Sequence, residues 1–172
     1  MTISNQLLNE LSTWPIVSVP SRFYHGCCIG DQGLNVCTNV ITGNKWFSID
    51  RHLAGDYAWH WSRLENAKMQ KMRVELELTH PHMAVSQPTR IGGEKWVPFL
   101  AKCFPGIDNY QLSREFQNNL QAHLNALGNP NVKSYCSNGG REICIPEVER
   151  FVRIVSVTGL PNDREVYRSS NI

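Results

Sequence analysis

The sequence predicts an α+β fold organised on a mostly antiparallel sheet, and three observations lead there. Residues 73–78 alternate, with Val74, Leu76 and Leu78 on one side and Arg73, Glu75 and Glu77 on the other, the pattern of a half-buried strand. Residues 111–127 carry Leu112, Phe116, Leu120, Leu124 and Leu127 as one helical stripe that stops at Gly128 and Pro130. The elements run helix, two strands, helix, strand, loop, helix, three strands, which lacks the regular strand and helix alternation of a parallel sheet.

The first element is a short amphipathic helix over 4–11, where Leu7, Leu8 and Leu11 recur at helical spacing and Ser4 offers an N-cap. Pro15 and Pro20 bracket an extended stretch, 16–19, and 22–28 reads as a strand ending near Gly30. Lys45, Trp46, Phe47 and Ser48 form a short aromatic strand that turns at Asp50. A helix capped by Asp50 follows over 51–63, with Leu53, Tyr57, His60 and Trp61 on its expected core face. Beyond the strand at 73–78, residues 81–105 are rich in turn formers (Pro88, Gly92, Gly93, Pro98) and read as a long loop. Within it, 90–96 is either a mobile substrate loop or a plain surface turn. After the helix at 111–127 come three strands, 132–136, 141–145 and 150–157. No linker or repeat interrupts the chain, so it reads as a single domain, 1–172, with a flexible C-terminal tail over 159–172.

Composition narrows the function. A chain of 172 residues buries about 70% of its unfolded surface and needs no covalent staple. With 41% hydrophobic and 19% charged residues it is not a disordered segment. Seventeen Lys and Arg against fifteen Asp and Glu give a net charge of +2. A broad phosphate-binding surface would need a larger basic excess, so nucleic acid could enter only as a small local substrate. No stretch approaches the roughly 18 apolar residues of a membrane span. No basic residue precedes Arg22, so the basic start of a secretory signal is missing and the expectation is synthesis in the cytoplasm. Delivery into a target cell would then require a dedicated secretion system or a larger parent chain. Cys27, Cys28, Cys37, Cys103, Cys136 and Cys144 include no C-x-x-C and read as structural free thiols of a reduced compartment. His80 and His82 flank Pro81 and would project to one side of an extended chain, but no third metal ligand is indicated, and Pro81 more simply marks a strand end.

Three segments gain meaning in combination. Phe23, Tyr24, His25 and Gly26 deliver a histidine followed by a glycine, where backbone can be approached closely. Trp46, Phe47 and Ser48 are followed by Ala54, Gly55, Asp56 and Tyr57. Glu142 opens the apolar strand Ile143, Cys144, Ile145 after the turn Gly139, Gly140.

In this order the segments resemble the ADP-ribosyltransferase superfamily, in particular its diphtheria-toxin-like and poly-ADP-ribose-polymerase-like branch with a His, Tyr, Glu triad. The resemblance runs from about residue 22 to residue 157, and "F-Y-H-G" is also similar to the rifamycin-modifying branch. It implies a split antiparallel β-sheet core with flanking helices and NAD as co-substrate, with no metal. It also implies transfer of ADP-ribose to an acceptor, most simply a protein, by a toxin or effector. By resemblance, His25 would hydrogen-bond the adenosine-side ribose and the Gly26 peptide would clamp the nicotinamide amide. Tyr57 would stack on the nicotinamide ring, with Trp46 in a second aromatic position. Glu142 would accept from the 2′-OH of the nicotinamide ribose and stabilise an oxocarbenium-like transition state.

The sequence departs from that pattern in places. Trp46 replaces a tyrosine, and Ala54 stands where some members place a serine that bonds the amide, a loss Ser48 could offset. Gly140 stands two before Glu142, so the E-x-E or Q-x-E turn of arginine-modifying toxins is absent. A small-molecule (antibiotic) transferase and a non-catalytic module binding NAD or ADP-ribose are the rival readings. An RNA 2′-phosphotransferase relative would need an arginine cluster, and only Arg22 lies near His25. Each residue also has a plain reading: His25 and Tyr57 as core side chains, Glu142 as a solvated strand end beside Arg141. The transferase reading requires His25, Tyr57 and Glu142 to share one cleft and makes 81–105 the expected lid or acceptor-recognition loop.

Overall fold

The computed structural model describes residues 4–28, 34–35, 40–61, 69–88, 91 and 93–170. In chain order the elements are α1 (Asn5–Ser12), β1 (Ile16–Ser18), β2 (Arg22–Cys28), β3 (Leu34–Asn35), β4 (Val40–Ile41), β5 (Lys45–Ser48), α2 (Arg51–Trp61), β6 (Lys71–Leu78), β7 (Met83–Ser86), α3 (Gly93–Cys103), α4 (Leu112–Asn118), α5 (Leu120–Ala126), β8 (Val132–Ser137), β9 (Glu142–Ile145), β10 (Val152–Gly159) and α6 (Arg164–Ser169). The class is α+β with mostly antiparallel pairing, as the periodicities predict.

The chain divides into two compact units, one formed by 1–19 and 82–146 and the other by 20–81 and 147–172. A single domain is what the sequence suggests, because no linker marks the division. Each of the three crossings instead carries one proline, Pro20, Pro81 or Pro146. Proline has no N–H to extend a ladder and restricts the residue before it, so it ends pairing without any change of composition.

In the first unit the strands run β1, β7, β8, β9, with β7 and β8 parallel and the other pairs antiparallel. Helix α1 starts as expected, the Ser4 hydroxyl accepting from the Leu7 N–H at 3.4 Å. The buried set comprises Leu7 and Leu11 from α1, Leu100 from α3, and Leu112, Phe116, Leu120 and Leu124 from α4 and α5. Trp96 meets Trp14, Phe116 and Tyr135 at ring centroid separations of 5.8, 5.1 and 6.2 Å.

Two sequence expectations change here. Residues 81–105 are not one loop. They hold β7 and α3, and Trp96, Leu100, Cys103 and Phe104 form a stripe at i, i+4, i+7 and i+8, the last three of them buried. Pro98 lies on the exposed side of that helix and does not break it. Residues 111–127 form two helices rather than one. At Asn119 (φ −106°, ψ 11°) the side-chain amide donates to the Glu115 carbonyl at 2.8 Å, competing for a helical acceptor. A single distorted residue leaves the apolar stripe in phase, so Leu112, Phe116, Leu120 and Leu124 are all buried on either side of it.

In the second unit the strands run β5, β2, β6, β10, all antiparallel. β2 and β6 pair from Arg22↔Glu77 to Cys28↔Lys71, and β10 follows β6 with a bulge between Ile154 and Ser156. Phe23, Val74 and Leu76 are fully buried, and Phe23 meets Phe47 at 4.9 Å. The polar side of β6 is not uniformly solvated as its alternation suggests. Lys71 and Arg73 are buried, with the Lys71 ammonium 4.7 Å over the Trp59 ring and the Arg73 guanidinium 6.0 Å from the Tyr24 ring. The C-terminal segment, expected to be a flexible tail, contains α6. Asp163 caps it by accepting from the N–H groups of Glu165 and Val166, and Tyr167 is 3% exposed.

No helix among the described residues is long and apolar enough to cross a membrane.

Candidate functional site

Five of the six proposed site residues lie in the second unit on three elements: His25 and Gly26 on β2, Trp46 and Ser48 on β5, Tyr57 on α2. Glu142 belongs to the first unit, at the start of β9.

β2 pairs with β5 at Tyr24↔Ser48, and one residue on the imidazole of His25 takes over the bonding. Its Nδ1 lies 2.8 Å from the Trp46 carbonyl oxygen. A carbonyl only accepts, so it is Nδ1 that donates in this bond. Phe47 meets the His25 ring edge-on at 5.7 Å, so backbone and aromatic contacts both set its orientation.

Gly26 serves the fold in a way the sequence reading did not foresee. A Cβ built there would lie 1.6 Å from the Ala54 carbonyl oxygen and 2.9 Å from the Ala58 nitrogen, so the backbone of α2 itself occupies the side-chain position. The close approach permitted by glycine is used by a helix. The nicotinamide role implied by the resemblance involves the Gly26 peptide and is a separate matter.

This contact also shifts the face of α2 that is buried. Ala54, Ala58 and Trp59 are buried while Leu53 and Tyr57 are only half-buried, so the core face is displaced from the one expected. Small residues at 54 and 58 let the helix axis come nearer β2 than a leucine or tyrosine face would. The side chains of His60 and Trp61 lie outside the described residues.

The turn into α2 is built from polar caps. The buried Ser48 hydroxyl accepts from the Asp50 N–H at 3.0 Å, and the Asp50 carboxylate accepts from His52 N–H at 2.8 Å and Leu53 N–H at 3.2 Å. Asp50→Ala should destabilise the protein by about 1 kcal/mol, a typical cap loss, measurable as a lower urea midpoint with unchanged slope.

Glu142 follows Gly139 and Gly140, which adopt positive φ of 64° and 85° and turn the chain into β9. It is half-buried opposite Ser137 on β8, whose hydroxyl donates to Oε2 at 3.4 Å. Burial raises its carboxyl above the ordinary value.

Other groups flagged by the sequence have structural partners. The His82 ring shares a 2.6 Å hydrogen bond with the Ser134 hydroxyl, and His80 contacts the Thr79 hydroxyl at 3.1 Å. Among the described residues no group of three His, Cys, Asp or Glu side chains is arranged to hold a metal ion. Cys27, Cys28, Cys103, Cys136 and Cys144 are buried thiols outside any disulfide, and burial pushes the Cys136 thiol up to about 12, far from a reactive thiolate. Cys37, Thr89, Arg90 and Gly92 lie outside the described residues.

Sequence reasoning passed over Tyr167 and His123. Tyr167 fills a notch at Gly55, where a Cβ would meet its hydroxyl oxygen at 1.8 Å. His123 is 1% exposed on α5 against Phe104 and Phe116. Neither stands in a motif; the one available signal was a small residue, Gly55, on a helix expected to pack by large ones.

No protein-family model matches the chain, and neither a curated protein nor a solved structure matches it.

Proposed function

We propose that this chain is an NAD-dependent ADP-ribosyltransferase, of the toxin or effector kind, with a protein as acceptor. The observation that carries the reading is the ordered set on β2, β5 and α2, in which the His25 ring is held by the Trp46 carbonyl and Tyr57 sits on the helix entered from Ser48. The imidazole so oriented is the group proposed to hydrogen-bond the adenosine-side ribose. Half-buried Tyr57 offers ring surface for nicotinamide, and Glu142 supplies a partly desolvated carboxylate.

The reaction breaks the bond between the nicotinamide nitrogen and the ribose C1′. The bonding pair leaves with neutral nicotinamide, and positive charge develops on the ribose. An acceptor nucleophile then bonds C1′ and releases its proton. A carboxylate held by the 2′-OH stabilises this charge only if it is oriented beforehand, which is the role given to Glu142.

Nicotinamide release from NAD, with and without cell lysate, tests the assignment. Glu142→Gln should lower the rate on the order of 100-fold; equal rates in variant and wild type would remove Glu142 from the mechanism. Because burial raises the Glu142 pKa, the active ionised form is lost as pH falls, at a midpoint above the ordinary 4.5. That acid limb should be absent from the residual activity of Glu142→Gln.

The second reading, a non-catalytic NAD or ADP-ribose binder, is favoured by one feature. Ala54 is buried against Gly26 and the Ser48 hydroxyl is engaged in the turn to Asp50, so neither offers a serine hydroxyl in the family manner. Calorimetric NAD binding without nicotinamide release under any lysate condition would select it. Mass spectrometry of a lysate given labelled NAD separates protein from small-molecule acceptors.

A further inference from the structure

Helix α2 is gripped at two points within one turn. On one side Ala54 and Ala58 lie against Gly26. Beside them Gly55 receives Tyr167 of α6, a Cβ at Gly55 falling 1.8 Å from the tyrosine hydroxyl oxygen and 2.4 Å from its ring carbon Cζ. The Tyr167 hydroxyl donates to the His52 carbonyl oxygen at 3.0 Å. Ala58, Trp59, Leu160 and Tyr167 form one buried cluster, and Arg164 reaches Asp56 at 3.9 Å. Tyr57 sits between these anchors, two residues after Gly55 and one before Ala58.

We propose that α6 is a brace for α2 and that Tyr167 is a positioning residue acting through Tyr57. The brace follows from the packing alone, whereas the part concerning Tyr57 rests on the transferase reading. A hydroxyl bound to the carbonyl of His52 and a ring lodged at Gly55 oppose both sliding and rotation of the helix. Rotation by one residue, about 100°, would carry Tyr57 away from its present face. A stacking contact present in both ground and transition states acts on substrate binding, so its displacement raises KM more than it lowers kcat.

Three measurements on the full chain test this. Hydrogen exchange of α2 amides in Tyr167→Phe, which keeps the ring and loses the bond to His52, should be about tenfold faster while α4 and α5 are unchanged; unaltered α2 exchange would overturn the brace. Gly55→Ala should lower Tm sharply in wild type and at most a third as much in a Tyr167→Ala background, where the added methyl has room. Additive losses would overturn the contact.

For catalysis, Tyr167→Phe should raise KM for NAD about fivefold with kcat within twofold, and add nothing to Tyr57→Ala. An independent further rise would show that Tyr167 does not act through Tyr57. If wild type releases no nicotinamide, the transferase reading fails, and the exchange and stability measurements still decide the brace.

Discussion

Gly26→Ala is expected to lower stability by at least about 3 kcal/mol, and Tm by roughly 10 °C for a chain of this length. The ideal Cβ falls 1.6 Å from the Ala54 carbonyl oxygen, 2.7 Å from its carbonyl carbon and 2.9 Å from the Ala58 nitrogen. All three are backbone atoms of α2, so no rotamer change can relieve the overlap. The helix must retreat from β2, and it carries its other contacts with it. Those include the Cys28 thiol, which donates to the Ala58 carbonyl at 3.5 Å, and the Tyr167 seat at Gly55. A suitable control is Gly106→Ala. Gly106 has a φ of +87° and open space around the Cβ position, so alanine there should cost only the left-handed backbone penalty of about 1 kcal/mol. Equal Tm losses in the two variants, read by thermal unfolding at one pH, would show that helix packing is not what requires glycine at 26.

The same glycine illustrates how much the sequence disclosed. The strands 22–28 and 45–48 and the caps at Ser4 and Asp50 are where the sequence predicts them, because alternation, proline punctuation and N-cap chemistry are local signals. What was not legible depends on partners distant in sequence. The face of α2 that is buried follows from Gly26, and a reading based on large apolar residues chose Leu53 and Tyr57 over Ala54 and Ala58. The burial of Lys71 and Arg73 is accompanied by the rings at 59 and 24, which alternation along β6 cannot reveal.

Two other differences were in principle readable. Helix α3 has a stripe at Trp96, Leu100, Cys103 and Phe104, which Pro98 and the preceding glycines hide because they resemble loop signals. Helix α6 has an aspartate cap and a tyrosine four residues on, yet it is only six residues long, below the length at which periodicity carries weight. For the candidate site, residue identities and element order came from the sequence. The orientation of the His25 ring came from a hydrogen bond to a backbone carbonyl 21 residues away.

The second large effect concerns acid. Wild-type stability is expected to fall by about 2 kcal/mol between pH 7.5 and pH 5 through His123 alone, and by about 3 kcal/mol once pH is well below 4. The side chain is 1% exposed, stacked on Phe116 at 5.5 Å, and among the described residues neither ring nitrogen has a hydrogen-bond partner. Desolvation therefore disfavours the imidazolium and lowers its pKa from 6.5 to about 4. The unfolded chain titrates near 6.5, so between the two values it binds the proton that the folded chain refuses. Stability then rises with pH across that window and is lost as pH falls from about 6.5 to about 4. Glu142 works in the opposite sense, since a carboxyl raised by burial adds stability as pH falls and loses it as pH rises through its folded value. The single-protein pH profile mixes the two, and the difference between wild type and His123→Leu separates them. The leucine variant keeps a comparable apolar volume, leaves no ring nitrogen unbonded, and should be at least as stable as wild type at pH 7.5. Urea unfolding of both proteins at pH 7.5 and pH 5 gives the test, with the wild type expected to lose about 2 kcal/mol more than the variant. A parallel loss in both proteins would place the acid sensitivity elsewhere and leave His123 a neutral member of the Phe104 and Phe116 stack.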